Sequence, residues 1–232
     1  MKITSFNILA DTFIDFNNPQ KYYPNIDKKL LRMRNRFDKL IKYIHGDIIL
    51  LQEVTPWIRR RLYNTFNLHY IILPLSTHIS KTESCGNLTL IKKNIFNKIN
   101  HKTIYFNNNA FGITSADNID IYNIHLNYVS NNIRKKELNF ITSTFNPNKK
   151  IIIGGDFNSN DTNLHTTLNK FKINIKKKST YLCEKPMIDY IYTYGFKNVK
   201  GYIDNTITNK NCYTNTLKKY GSDHHPVYVT VS

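Results

Sequence analysis

The stretch Ile48-Ile-Leu-Leu-Gln-Glu53 sets the fold: four consecutive apolar residues, bounded by Asp47 before and a Gln-Glu pair after. A run this short, without polar alternation, reads as a strand buried on both faces. Upstream, residues 2–6 form a short strand-like run that ends at Asn7. Between the two, Leu30, Leu31, Phe37, Leu40, Ile41 and Ile44 recur at three- to four-residue spacing. That spacing predicts one helix, capped by Asp27, ended at Gly46, and carrying Lys28, Lys29, Arg32 and Arg36 on its polar side.

Downstream, Thr55-Pro56 is a helix start, a capping hydroxyl followed by proline at the first position. Strand-like segments follow near residues 69–73, 87–91, 102–106 and 119–125, then a helix over 133–145. Ile151-Ile-Ile153 repeats the buried-strand pattern and ends in Gly154-Gly155-Asp156. A helix near 164–171 and strands at 188–192, 199–203 and 227–231 complete the chain. Strands and helices alternate with short connections and no repeat or linker, which predicts one α/β domain over residues 1–232. Layered sheets with outer helices fit the mixed spacing better than strict alternating parallel units.

The ends of these strands carry the chemistry. Asn7, Gln52-Glu53, His125, Asp156-Phe-Asn158 and Ser222-Asp223-His224-His225 each sit at a strand boundary, and Asp189 interrupts an apolar strand. Side chains at strand ends converge on one rim of a sheet, where ligands commonly bind. Taken singly, Gly-Gly-Asp reads as a turn, Ser-Asp-His as a cap and Glu53 as a solvated carboxylate. Taken together, Glu53, Asp156 and Asp223 repel: two such charges at ~5 Å cost roughly 3 kcal/mol at an effective dielectric near 20. A cation removes that repulsion, and oxygen-only ligation suits Mg²⁺. No Cys/His ligand spacing for zinc is present. A pair such as Asp189 and His224 holds an imidazole in one tautomer and supports its charged form.

Thirty-three Lys and Arg against sixteen Asp and Glu give a formal charge of +17. Such an excess points to an acidic partner, nucleic acid first; the Ile-, Asn- and Lys-rich composition is the bland alternative. Basic groups recur at Arg32, Arg34, Arg36, Arg59-Arg60-Arg61, Arg134-Lys135-Lys136, Lys149-Lys150 and Lys176-Lys177-Lys178. Tyr22, Tyr23 and Tyr128 are candidates to stack on a base. Cys85, Cys183 and Cys212 are far apart and form no disulfide framework, which suits a reducing compartment. With no signal-peptide pattern and no apolar run of membrane-spanning length, an intracellular protein, cytoplasmic or nuclear and not secreted, is expected, without membrane insertion and as a monomer.

Six motifs now carry a resemblance. Ser-Phe-Asn7-Ile, Ile-Ile-Leu-Leu-Gln-Glu53, Asn-Ile-His125-Leu, Gly-Gly-Asp156-Phe-Asn158, Ile-Asp189-Tyr-Ile and Ser-Asp223-His224-His-Pro-Val resemble, in order, the signature of the endonuclease/exonuclease/phosphatase superfamily. The resemblance spans residues 3–229. It implies a deoxyribonuclease I-like, four-layered α/β sandwich, two face-to-face mixed sheets flanked by helices, that hydrolyses phosphate esters with Mg²⁺ or Mn²⁺. By the same resemblance, Glu53 is the principal metal ligand, with Asp223 and Asn7 beside the ion. Asp156 orients or deprotonates the attacking water, and Asn158 donates to a phosphate oxygen. His224, supported by Asp189, faces the scissile phosphate, and His125 is a second histidine.

Within that superfamily, Ser5-Phe-Asn-Ile-Leu-Ala-Asp-Thr-Phe13 followed by Tyr22-Tyr-Pro24 is most similar to the deadenylase, nocturnin, 2′-phosphodiesterase and Angel branch. That implies RNA ahead of DNA, with action at a 3′ end or on a 2′-linked or cyclic phosphate. The chain is shorter than typical members and lacks a proline soon after Asp156-Phe-Asn-Ser159. The readings set against this one are a DNA-directed enzyme (an abasic-site endonuclease or tyrosyl-DNA phosphodiesterase), an inositol or lipid phosphatase, and a non-catalytic nucleic-acid-binding domain.

Overall fold

The structure is a computed structural model. It describes the chain except residues 22, 24–25, 78–84, 174–178, 182–185 and 205–211, with backbone alone at 212 and 213. Tyr22, Pro24, Lys176-Lys177-Lys178 and Cys183 therefore lie outside the described residues.

Strands are numbered β1–β12 and helices α1–α6 in chain order. Among the described residues one sheet holds β1 (Lys2–Asn7), β2 (Ile48–Val54), β3 (Tyr70–Ile72), β4 (Ser76–Thr77), β5 (Gly86–Lys92), β11 (Val199–Ile203) and β12 (Val227–Val231). Its order is β11-β12-β1-β2-β5-β3, with β4 also paired to β5. The second sheet holds β6 (Ile99–Phe106), β7 (Asn109–Ala116), β8 (Ile119–His125), β9 (Lys150–Asp156) and β10 (Asp189–Tyr194), in the order β10-β9-β8-β7-β6. β1 and β2 pair in parallel, as do β8 and β9, and each of these pairs is joined through a helical crossover.

The helices are α1 (Lys28–Leu31), α2 (Met33–Leu40), α3 (Pro56–Phe66), α4 (Asn131–Ser143), α5 (Thr162–His165) and α6 (Cys212–Tyr220). β2 shows why a run of four apolar residues was needed. Ile48 and Leu50 face the second sheet among Phe111, Ile121, Ile153 and Ile191. Ile49 and Leu51 point the other way, onto Phe37 and Leu40 of α2 and Ile58 and Leu62 of α3. On the far side, Leu138 and Ile141 of α4 join the inter-sheet cluster over the second sheet. The result is two mixed sheets packed face to face with helices outside, as expected from the sequence.

Gly154 and Gly155 belong to strand β9, where a turn was the simplest reading. A Cβ on Gly154 would stand 2.7 Å from Leu50 Cδ1, so the glycine lets the sheets approach. Gly155, at φ +150°, passes so close to Ile124 that a Cβ would meet its carbonyl oxygen at 1.8 Å.

Three sequence expectations are corrected. The helix expected from Asp27 to Gly46 is two helices broken at Arg32, whose ψ of 126° is extended. Asp11 takes the Met33 amide at 2.8 Å and so starts α2 afresh. The break frees the Leu31 carbonyl for Arg36 Nε, 2.8 Å away. Arg36, expected on a polar face, is 1% exposed. It also donates to the carbonyls of Ile8, Leu9 and Gly221, and to Asp11 Oδ1. Arg134 is likewise buried, donating to Asn127 O and Asn131 Oδ1. The helix near 164–171 is only one turn of α-helix and one of 3₁₀.

Candidate active site

Strand register assembles the rim. In the second sheet Asp156 at the end of β9 is paired with His125 on β8 and with Asp189 on β10. In the first, Asn7 ends β1 opposite Gln52, next to Glu53. The loop before β12 brings Asp223 and His224 between the sheets, anchored by Ser222 Oγ, which donates to Asn7 O at 2.7 Å and accepts from His224 N at 3.2 Å. All eight residues expected at the site therefore share one rim.

Glu53 sits where the β2–β5 register shifts, with φ +61°. Such a bulge re-aims one side chain, and the left-handed backbone is costly for a non-glycine residue. Neighbours hold it in place: Ala10 N donates to Glu53 Oε2 at 2.8 Å and Asn7 Nδ2 to Oε1 at 2.8 Å. The same Asn7 amide reaches Asp156 Oδ2 at 3.0 Å, while Asn7 Oδ1 accepts from Leu9 N. Asn7 thus presents amide hydrogens to two carboxylates.

Asp156 Oδ1 accepts from Asn158 N at 2.8 Å, and the Asn158 side-chain amide donates to Leu126 O. Oδ2 of Asp156 lies 3.7 Å from Nε2 of both His125 and His224. His224 Nδ1 is 2.9 Å from Asp189 Oδ2. Asp223 Oδ2 accepts from the Tyr23 hydroxyl at 3.0 Å. Asp223 Oδ1 and Asp189 Oδ1 are buried and have no hydrogen-bond partner among the described residues.

Burial dominates the electrostatics. It lifts Asp156 to about 7, with Asp189 adding to the rise and His224 opposing it. Burial also raises Glu53; His125 opposes the rise and Asp223 adds to it. Burial by itself lowers His224, but Asp189, Asp156 and Asp223 outweigh it and hold the imidazole well above its ordinary value. His125 is lowered by burial despite Glu53. The rim therefore pairs a charged histidine with a neutral one around a shared carboxylate.

Tyr23 corrects another expectation. It is buried against Asp223, so its ring is not available to stack on a base, whereas Tyr128 is exposed. The sequence reading missed the roles of Ala10 N, Ser222 and Tyr23, and the Tyr181 ring 4.8 Å from that of His224. Of these, only Ser222, in Ser-Asp-His, carried a local signal. The other contacts join residues distant in sequence. Asp156, Asp189 and His224 can offer ligand atoms within 4.8 Å of one another.

Two packed mixed sheets with this rim define a deoxyribonuclease I-like α/β sandwich. The chain belongs to the Endonuclease/Exonuclease/phosphatase family, whose model matches residues 4–224. Members of that family are usually hydrolases of phosphate esters. Among solved structures it is similar to a functionally unknown conserved protein from Enterococcus faecalis V583 (17% identity, 100% of this chain and 99% of that one, TM-score 0.72). It is also similar to a family protein from Bacteroides vulgatus (16%, 100% and 98%, 0.70) and to TDP2 from Caenorhabditis elegans (18%, 99% and 74%, 0.68). At these identities the likeness is one of fold, and it does not single out the deadenylase branch. No curated protein matches the chain in sequence. No helix among the described residues is long and apolar enough to cross a membrane.

Proposed function

We propose that this protein is a phosphodiesterase acting on nucleic acid, RNA ahead of DNA, with Mg²⁺ or Mn²⁺ as its cofactor. One observation carries the reading. Four buried carboxylates meet two histidines on one rim, and Asp223 Oδ1 there is buried without a hydrogen-bond partner among the described residues, its one ionic neighbour being His224 Nε2 at 4.0 Å. A buried carboxylate oxygen with no donor is costly by itself and suits a hard cation. Glu53 and Asp223 are the proposed ligands, with Asn7 adjoining. When bound, the ion supplies positive charge against the phosphate oxygens. The group of Asp156, Asp189 and His224 is assigned instead to proton handling, because His224 and Asp189 bond each other directly.

The chain's own residues then divide the work. Asp156, steadied by Asn7 and the Asn158 amide, orients the attacking water and takes its proton. His224, held charged by Asp189, opposes the negative charge that develops on the phosphate. Asn158 has one amide hydrogen on Leu126 O and the other left for a phosphate oxygen. His125, on the opposite side of Asp156, is a second donor.

RNA is placed first because the segment most similar to the RNA-directed branch also builds this site: Asn7, Ala10 and Asp11 hold Glu53, Asp156 and α2. The test is a substrate panel with Mg²⁺ and Asp156→Ala as blank. It includes poly(A) RNA, 2′,5′-linked oligoadenylate, RNA with a 2′,3′-cyclic phosphate, abasic DNA, 5′-tyrosyl DNA and an inositol phosphate. Turnover of the inositol phosphate alone sinks the nucleic-acid reading, and preference for either DNA substrate reverses the order of RNA and DNA.

A further inference from the structure

Helix α3 starts three residues after Glu53 and has three faces. Ile58 and Leu62 bury into the core. Arg61 lies over the rings of Phe37 and Trp57, 5.0 and 5.7 Å from their centroids. The third face, at the helical spacing of Pro56, Arg59, Arg60 and Tyr63, forms one wall of a cleft whose other wall is Pro74, Leu75 and Thr77.

The register places this cleft beside the site. Val54 pairs with Gly86 and Gly86 with Thr77. Thr77 is thus two strand spacings, about 10 Å, from the residue after Glu53. No carboxylate is among the described residues lining the cleft, while two guanidinium groups are. Arg59 Nε is buried without a hydrogen-bond partner among the described residues. The Tyr63 ring is half exposed on the same face.

Building on the nucleic-acid reading, we propose that this cleft binds the single strand flanking the scissile phosphodiester. Arg59 and Arg60 each neutralise one of two successive backbone phosphates, and Tyr63 stacks on a base. A second groove, between Lys172 and Lys197-Asn198-Val199-Lys200, is also basic, but it lies where β11 meets the far end of β12, at the rim opposite Asn7.

The test is fluorescence anisotropy with a labelled single-stranded oligonucleotide, RNA and DNA in turn, in chelator so that nothing is cleaved, across about 50–300 mM KCl. Arg59→Ala/Arg60→Ala should weaken binding at least tenfold at low salt and reduce the log–log salt slope by about 1.4, two contacts at ~0.7 each. Tyr63→Ala should weaken binding by roughly tenfold with the slope kept. Lys197→Ala/Lys200→Ala, at the opposite rim, should change neither. Thermal melting checks each fold, and if the double variant does not fold, the exposed Arg60→Ala alone should remove about half the slope change. An unaltered slope in the arginine variants, or an equal loss in the opposite-rim variant, overturns the cleft while leaving the nucleic-acid reading in place. Wild-type protein that binds no oligonucleotide but hydrolyses a small phosphodiester overturns both.

Discussion

His224 Nδ1 lies 2.9 Å from Asp189 Oδ2, and this contact spans the two sheets: Asp189 opens β10 of one, and His224 enters the loop before β12 of the other. Against the burial that lowers His224, Asp189 supplies the first of the opposing effects, which with Asp156 and Asp223 hold the imidazole well above its ordinary value. Replacing Asp189 by Asn removes the charge and keeps the shape. The alkaline limb of kcat should then move to lower pH, and kcat at pH 7.5 should fall by at least ~10²-fold. An unchanged limb would show that His224 does not act as the charged form.

Asp156→Ala and His224→Ala should each lower turnover at least ~10²-fold, the scale of losing a general base or a charge stabiliser. The two share one 3.7 Å contact, so the double variant should lose less than the product of the single losses. Simple multiplication of the two effects would show that they act independently.

Mg²⁺ should raise the melting temperature and EDTA reverse the rise, because an ion bound only by the folded chain stabilises by mass action. A saturating excess of about 100 Kd adds about 2.7 kcal/mol. Glu53→Gln should remove most of this increment while leaving the protein folded. Equal Mg²⁺ shifts in wild type and variant would move the ion away from Glu53.

Legibility in the sequence followed the physics of each element. The β2 and β9 runs were readable because strands buried on both faces lose all polar alternation. β7 was not, since Ala110, Gly112, Thr114 and Ser115 give its strand no apolar pattern, although most of it is buried. The eight rim residues were legible as strand-end polar groups in a known order. What holds them was not: Tyr23 reaches Asp223 across 200 residues of chain, and Arg36 reaches Gly221 across 185. Arg36 also shows how a helical charge pattern misleads. Its periodicity suits a solvated face, but a broken helix and a ring of free carbonyls claim it for the interior.

Arg36→Ala should therefore destabilise by about 3 kcal/mol or more. It strands buried carbonyls of Leu31, Ile8 and Leu9, each of which loses a charged donor. Arg36→Lys, with one point charge in place of a planar fork, should recover only part of this. Urea unfolding measures both, and a loss below ~1 kcal/mol for the alanine variant would contradict the clamp.

His225 sets an acid limit on stability. It is fully buried, with Nδ1 3.2 Å from Ser179 O, and burial first, then the neighbouring His224 charge, lower it to about 4. A bound cation pushes in the same direction. At about pH 7.5 and above neither the folded nor the unfolded chain protonates this ring appreciably, so its contribution is complete there. As pH falls through 6.5 the unfolded chain takes up the proton first, and stability is lost until the folded value near 4 is passed. Between pH 6.5 and 5 the loss should reach about 2 kcal/mol, at about 1.4 kcal/mol per unit. His225→Gln keeps polar atoms in the cavity without a titrating ring, so its stability should fall less over that interval. Urea unfolding at pH 7.5 and pH 5 measures the difference, and parallel losses in the two proteins would place the acid sensitivity elsewhere.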